Sequence, residues 1–430
     1  MVHVKLARSG DNIPEDISKI TDHLFRQESG KMVSVLTKIF GIANLEMVED
    51  VVQETFLSAF QNWVENGIPE NPPAWLFSVA RNKALNILKH NKFSVSTDFS
   101  DSASDPTPTP FSLLDNFYKT ELINDDMLRM MFACCDPNIS QKNQIIIILK
   151  LLCGFSTAEI AKAFLTNEET ISKSLYRTKE FYRDKKISFD LPTEVELRKR
   201  TESVLASIYL IFNEGYNSTE APEIIRNDLI YEALYLCKLL SENKHTRIPE
   251  TYALMALICF HASRVESRLT AEGEIILLSE QDRIKWNEEL IEKGNELMNR
   301  SAFGFTISNY HLEAAIAFEH CRAKTFGDTN WSRIVELYDK LIENSPSPVT
   351  ELNKAAAIMQ KDGADAALHL IENINDKKKL QSYYLYHSLL GEIHSRLNNK
   401  NKAKEFYKSA VKLTRSETVK KWLKNKIDNL

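Results

Sequence analysis

STAEIAKAFLTNEETISKSLYRTKEFYR, residues 156–183, is the stretch on which the reading of the fold turns. Ser156-Thr157-Ala158-Glu159 has the order of a capping box, in which a hydroxyl and a carboxylate satisfy the free N–H groups of a starting helix. Thr166-Asn167-Glu168-Glu169 repeats the signature. Between the two lies room for a short helix, Thr157 to Phe164, with Ile160, Ala161 and Phe164 inward. A second helix follows from Glu168 to about Arg183, with Ile171, Leu175 and Thr178 inward. Two helices joined by so short a turn predict a helix-turn-helix, with Ile145 to Leu152 as its supporting core helix. The outer face of the second helix offers Glu169, Ser172, Lys173, Tyr176 and Arg177, and its C-terminal half adds Lys179, Arg183, Lys185 and Lys186. An ordinary helical hairpin shares the inward pattern; the two caps around one short turn favour the DNA-binding form.

Upstream, residues 11–92 read as helices with short polar breaks. In Glu49 to Phe60 (EDVVQETFLSAF), Val52, Phe56, Ala59, Phe60 and Trp63 share one stripe. Glu46, Glu49, Asp50, Gln53 and Glu54 share another, three and four apart. Such a face is either simply solvated or, since its carboxylates repel one another, met by a basic partner. Asn71 to His90 (NPPAWLFSVARNKALNILKH) opens after a double proline, a favoured helix start. Trp75, Leu76, Val79, Leu85 and Leu88 can face a core. Arg81, Lys83, Lys89 and Lys92 supply charge for phosphates, with no acid from Ala74 to Lys92. Asn82 and Asn86 can read base edges, and the loop Asn66 to Asn71 can hold an unstacked base against an aromatic ring. A core helix fringed by lysines is the other reading.

Composition sets the frame. The chain has 430 residues, 54 Lys+Arg against 59 Asp+Glu, and a formal charge of -5. Gly 12 and Pro 13 each amount to about 3%, well under usual usage. So few turn-formers exclude an all-β architecture and predict long helices with polar connections. The longest apolar run, Ile145 to Phe155, is broken by Lys150 and falls far short of a membrane span of roughly 18 residues. Met1-Val2-His3-Val4-Lys5 has no apolar core of a signal peptide, and six unevenly spaced Cys suggest a reducing compartment, so a cytoplasmic protein is expected.

Ser94 to Pro110, rich in Ser, Thr, Asp and Pro, reads as part of a flexible linker, and Lys185 to Pro192 as a shorter junction. Amphipathic segments then succeed one another to the C-terminus. Gly391, Ala403, Tyr407 and Ala410 match the small and aromatic offsets of a tetratricopeptide helix pair, and Ala355, Ala367 and Ile371 repeat the first three 36 residues earlier. The expected domains are 1–93, a linker 94–121, a helix-turn-helix domain 122–187, a helical domain 188–300 and TPR-like repeats 301–430.

Acidic helix, basic aromatic helix, linker and helix-turn-helix, in this order, resemble bacterial RNA polymerase sigma factors of the extracytoplasmic-function (ECF) type. Leu210 to Tyr216 (LIFNEGY), Gln281-Asp282-Arg283, Tyr310 to Ile316 (YHLEAAI) and Pro346 to Asn353 (PSPVTELN) resemble the C-terminal extension of one ECF subgroup ending in tetratricopeptide-like repeats. The resemblance implies an all-α protein of two small sigma domains followed by an α-solenoid. It implies that Glu49, Asp50, Gln53, Glu54 and Phe56 dock on the clamp helices of core RNA polymerase. Trp75, Arg81, Asn82, Lys83, Asn86 and Lys89 would hold the -10 promoter DNA. Glu169, Ser172, Lys173, Tyr176, Arg177, Lys179 and Arg183 would enter the -35 major groove, the second domain also meeting the polymerase flap. From its fusion and its repeat-type surface, the C-terminal solenoid is expected to act as a built-in regulator, with a regulatory protein or ligand as its candidate partner; the cytoplasmic protein would join the nucleoid in holoenzyme. Polymerase is the catalyst, so neither catalytic residues, metal nor cofactor is expected. Glu168 and Glu169 depart from a DNA-facing pattern and suit a helix N-terminus instead.

Other sites are weak. Cys134, Cys135 and Cys153 lack a zinc spacing and read as structural thiols. Asn213-Glu214-Gly215-Tyr216 reads as a glycine-capped helix end and Asp282-Arg283 as a structural ion pair. The alternative functions are a helix-turn-helix regulator that does not load onto polymerase, and a TPR-type interaction scaffold.

Overall fold

The computed structural model describes residues 15–94, 120–164, 166–185, 189, 194–216, 225–271, 273–304, 306–375, 377–414 and 416–430. Most of the expected linker, 95–119, and Lys186 lie outside them. The protein is all-α: among the described residues the only strand-like pairing is one bridge, Leu269 to Ile275. By its packing the chain forms two units, Met1–Ser207 and Ile208–Leu430.

In the first unit, α1 (Glu15–Phe40) packs on α2 (Leu45–Asn66), which leads into α3 (Pro72–Ser94). On α2, Leu45, Val48, Val52, Phe56, Ala59 and Trp63 are buried, so one stripe of the helix is core. On α3, Asn71 caps the first turn by accepting from the Ala74 N–H at 3.1 Å. Then follow α4 (Thr120–Cys134), α5 (Gln141–Leu151), α6 (Thr157–Ala163) and α7 (Glu168–Lys185). Every residue of α5 from Gln144 to Leu149 is buried, as an apolar run without a polar face requires.

The capping box at α6 forms as read: the Ser156 N–H donates to Glu159 Oε2 at 2.8 Å and the Glu159 N–H to Ser156 Oγ at 3.2 Å. At α7 the cap is Asn167 rather than Thr166, its Oδ1 accepting from the Thr170 N–H at 2.8 Å. Ile160, Ala161, Ile171, Leu175 and Thr178 are inward, and Tyr182 joins them.

Helix α1 also packs against α4 and α5. Gly30 makes this approach possible: a Cβ there would meet the Leu152 carbonyl oxygen at 2.0 Å. Ion pairs flank the contact, Arg26 to Glu159 at 3.1 Å and Lys38 to Asp126 at 2.7 Å. Helix α8 (Glu194–Tyr216) begins within this unit, where Arg200 donates to the Phe132 carbonyl at 3.0 Å.

The second unit is a succession of helices: α9 (Asn227–Glu242), α10 (Pro249–Ala262), α11 (Glu288–Ser301), α12 (Asn309–Arg322), α13 (Trp331–Asn344), α14 (Pro348–Lys361), α15 (Ala364–Glu372), α16 (Tyr384–Arg396), α17 (Lys400–Leu413) and α18 (Glu417–Asp428). From α9 on, each helix packs on the next, which is how a one-dimensional stack buries its faces. The repeat positions fall at these contacts. Ala355, Ala367 and Ile371 are buried in one cluster and Ala403, Tyr407 and Ala410 in another. Gly391 lies against the Tyr407 ring, where a Cβ would come within 2.6 Å of a ring carbon.

Two local expectations change. Gly215 lies inside the last turn of α8, not beyond it. Asp282 and Arg283 form no ion pair: Asp282 accepts from the Ile284 N–H at 3.1 Å, while Arg283 donates to the carbonyls of His320 and Ala323 at 2.6 and 2.7 Å. The partly buried guanidinium is satisfied by the carbonyls left without helical partners at the end of α12 rather than by its own neighbour.

Candidate functional site

On α2, Asp50, Gln53 and Glu54 face outward. Phe56 does not. It is 6% exposed and sits edge-on to Phe25 with ring centroids 4.9 Å apart. Its expected place among the surface contacts is corrected: an aromatic on the core stripe of an amphipathic helix is held by burial. Leu57, 39% exposed, supplies the apolar element of the outer strip instead. Its signal was legible, since it lies three and four residues after Glu54 and Gln53.

Glu49 is not free on that strip. The Lys179 ammonium lies against its carboxylate, and Arg183 reaches Glu46 at 3.6 Å. Lys179 and Glu49 are 20% and 12% exposed, so this pair is largely withdrawn from water. Beneath it, burial lowers the Lys150 ammonium from its ordinary value, with Glu49 opposing that fall. Burial by itself would raise the Glu159 carboxyl; the Ser156 N–H, Arg26 and the Ser156 hydroxyl outweigh it and hold the group below the usual range.

The residues expected at the -35 groove therefore divide. Glu169, Ser172, Lys173, Tyr176 and Arg177 form one exposed stripe of α7, with Tyr176 57% exposed. Lys179 and Arg183 belong to the stripe turned toward α2. Within the exposed stripe, Glu169 accepts from Lys173 at 2.6 Å.

On α3, Leu76, Phe77, Ala80 and Ala84 are the buried face. Asn82, Asn86 and Lys89, spaced four and three, are exposed together. Lys83 pairs with Glu54 at 3.0 Å, and Arg81 is half-buried. Trp75 is half-buried against Trp63 with ring centroids 5.6 Å apart, directly after the exposed 66–71 loop. An aromatic face beside an open loop suits base stacking.

Cys134, Cys135 and Cys153 are buried, and burial pushes the Cys134 thiol up to about 12. Among the described residues, no group of three or more His, Cys, Asp and Glu could hold a metal, and no helix is long and apolar enough to cross a membrane.

Residues 24–93, which contain α2 and nearly all of α3, match the Sigma-70 region 2 family. Residues 200–302 match a family of unknown function, DUF6596. The "Uncharacterized protein R00370" of Rhizobium meliloti is 31% identical over 387 residues, covering 90% of each chain. The "ECF RNA polymerase sigma factor SigL" of Mycobacterium tuberculosis is 31% identical over 132 residues, covering 30% of this chain and 68% of that one. No solved structure matches the chain. An all-α chain with a region 2 match around an exposed acidic strip belongs to the ECF RNA polymerase sigma factor family, with a C-terminal extension that includes a domain of unknown function.

Proposed function

We propose that the protein loads onto core RNA polymerase through Asp50, Gln53, Glu54 and Leu57 and directs initiation at a specific set of promoters. The observation that carries this is the pairing, within residues 24–93, of an acidic strip on α2 with an asparagine-lysine strip on α3. Asp50 and Gln53 meet the basic clamp helices while Leu57 adds apolar contact. Asn82, Asn86 and Lys89 hold the opened -10 strand, with Trp75 stacking a base. Residues 120–185 form the -35 and flap-binding domain, in which Ser172, Lys173, Tyr176 and Arg177 enter the major groove. The work is done in the cytoplasm, at the nucleoid, by binding energy, with polymerase as the catalyst.

Glu49 serves a second purpose in this reading. Its contact with Lys179 keeps α2 and α7 closed on each other in the free protein, so loading exchanges an internal partner for the polymerase. The second unit regulates this exchange; a helical stack presents the extended surface such control uses.

Run-off transcription with purified core polymerase, on promoter fragments from the source genome, tests the proposal. Defined new transcripts are expected, and Asp50→Lys should abolish them. A protein that binds DNA equally well with and without core, and yields no transcript, is a plain DNA-binding regulator. Removal of residues 217–430 tests the regulatory part: unchanged promoter output refutes it.

A further inference from the structure

The second unit holds an open-sided cavity of about 630 Å³ between the inner faces of its helices and the loop after α10. That is the size of a small-molecule site. One end is cationic: Arg264 and Arg268 line it, together with His320 and Gln281, which carry no charge there. Arg283 stands behind His320, bound to that residue's carbonyl.

Among the described residues, none of these three arginines forms an ion pair with a carboxylate. Arg268 lies over the Tyr216 ring at 4.0 Å and donates to the Tyr216 carbonyl, and Arg264 lies 5.5 Å from the same ring. Two carboxylates line the cavity, and both are engaged elsewhere. Glu392 is held by Arg396 at 3.1 Å and Lys426 at 3.4 Å, and Glu280 accepts from the Leu277 N–H at 3.3 Å. Holding several like charges together, partly out of water, is costly, and Asp328 opposes that cost only at Arg283. The strain shows in the neighbours. Burial lowers the Arg268 and Arg283 guanidiniums; Tyr216 and Cys321 respectively oppose that fall, and Arg264 adds to both. Burial, then Arg264 and Arg283, takes His320 down to about 3.

Two buried polar atoms at this end lack a partner, Gln281 Oε1 and His320 Nδ1, in residues 9% exposed and half-buried respectively. Elsewhere the wall is mixed: Trp331, Tyr384 and Trp422 supply an aromatic stretch, beside polar groups such as Asn353, Gln360 and the Glu392, Arg396 and Lys426 cluster. Charge, unpaired polar atoms and aromatic stretch thus call for one kind of molecule.

We propose that this cavity binds a small amphipathic oxyanion, its charged head between Arg264 and Arg268 and its apolar body along Trp331, Tyr384 and Trp422. Guanidinium forks suit the paired oxygens of a carboxylate or a phosphate monoester. The head supplies the missing counter-charge, and a hydroxyl or amine near it satisfies Gln281 or His320.

Titration of the full chain with decanoate, decyl phosphate and inorganic phosphate, read by tryptophan fluorescence, tests the site. Saturable quenching by decanoate or decyl phosphate is expected at submillimolar concentration, and the stronger of the two identifies the head group. Arg264→Gln should weaken binding about tenfold, the loss of roughly one charge-assisted hydrogen bond. Ala356→Trp, which fills the cavity from α14, should abolish it, with both variants melting as the parent does. Overturning results are no saturable quenching by either long-chain anion, affinity unchanged in Arg264→Gln, or inorganic phosphate binding as tightly as decyl phosphate.

Discussion

The Lys179 ammonium on α7 meets the Glu49 carboxylate on α2, joining a residue expected to face promoter DNA to one expected to face polymerase. Both are largely withdrawn from water, so the pair ties α7 to α2 rather than decorating their surfaces. Lys179→Ala should cost the first unit about 1–3 kcal/mol, the range for a buried polar group left alone. The same variant should bind core polymerase more tightly, because Glu49 is released. Urea unfolding and a core-binding titration read the two effects. Unchanged core affinity would show that the faces do not compete.

Position 56 separates surface from core on α2. Asp50→Lys should leave stability within about 0.5 kcal/mol and reduce core binding at least tenfold. Phe56→Ala should do the reverse, costing about 3–5 kcal/mol through loss of its packing on Phe25. Thermal melts beside core-binding titrations distinguish the two.

Gly30 is a packing requirement with no local signature. Gly30→Ala places a methyl carbon within 2.0 Å of the Leu152 carbonyl, and neither helix α1 nor the backbone after α5 can yield cheaply. A loss of about 1–3 kcal/mol or more is expected. A variant as stable as the parent would mean that α1 does not sit on this turn.

Glu169 restrains the proposed groove-facing stripe through Lys173. Exposed pairs of this kind contribute little stability. Glu169→Gln should therefore leave the melting temperature unchanged while raising holoenzyme affinity for -35 DNA. Arg177→Ala should lower it and reduce the slope of log affinity against log salt by about one. Filter binding over a salt series tests both.

Two half-buried histidines set an acid limit on the second unit. Burial, then Arg264 and Arg283, hold His320 at about 3 against an ordinary 6.5; burial, then Arg264 and Arg268, hold His261 well below it. Below pH 6.5 the unfolded chain takes up these protons and the folded chain does not. Their stabilisation is complete above pH 6.5 and declines as pH falls below it; for His320 the decline runs toward pH 3, at up to about 1.4 kcal/mol per pH unit. His320→Gln should remove one histidine's share of that slope in urea titrations between pH 7 and pH 4.5.

Sequence by itself determined what depends on neighbours along the chain. Low glycine and proline content, the Ser156–Glu159 box and the core stripes of α2 and α7 are local hydrogen bonds and helical periodicity, legible without a fold. The family resemblance rested on the same local patterns, and the exposed α2 and α3 strips followed from them. Tertiary structure decided which members of a polar stripe meet water and which meet another helix. Glu49 and Asp50 are adjacent and alike in sequence, yet Lys179, 130 positions away, takes one and leaves the other outward. Arg264 and Arg268, beside an uncharged His320, likewise become one cationic wall only when the loop after α10 is laid beside α12. Charge pairing and close approach are properties of distance in space, and periodicity along one helix carries no information about what arrives from elsewhere.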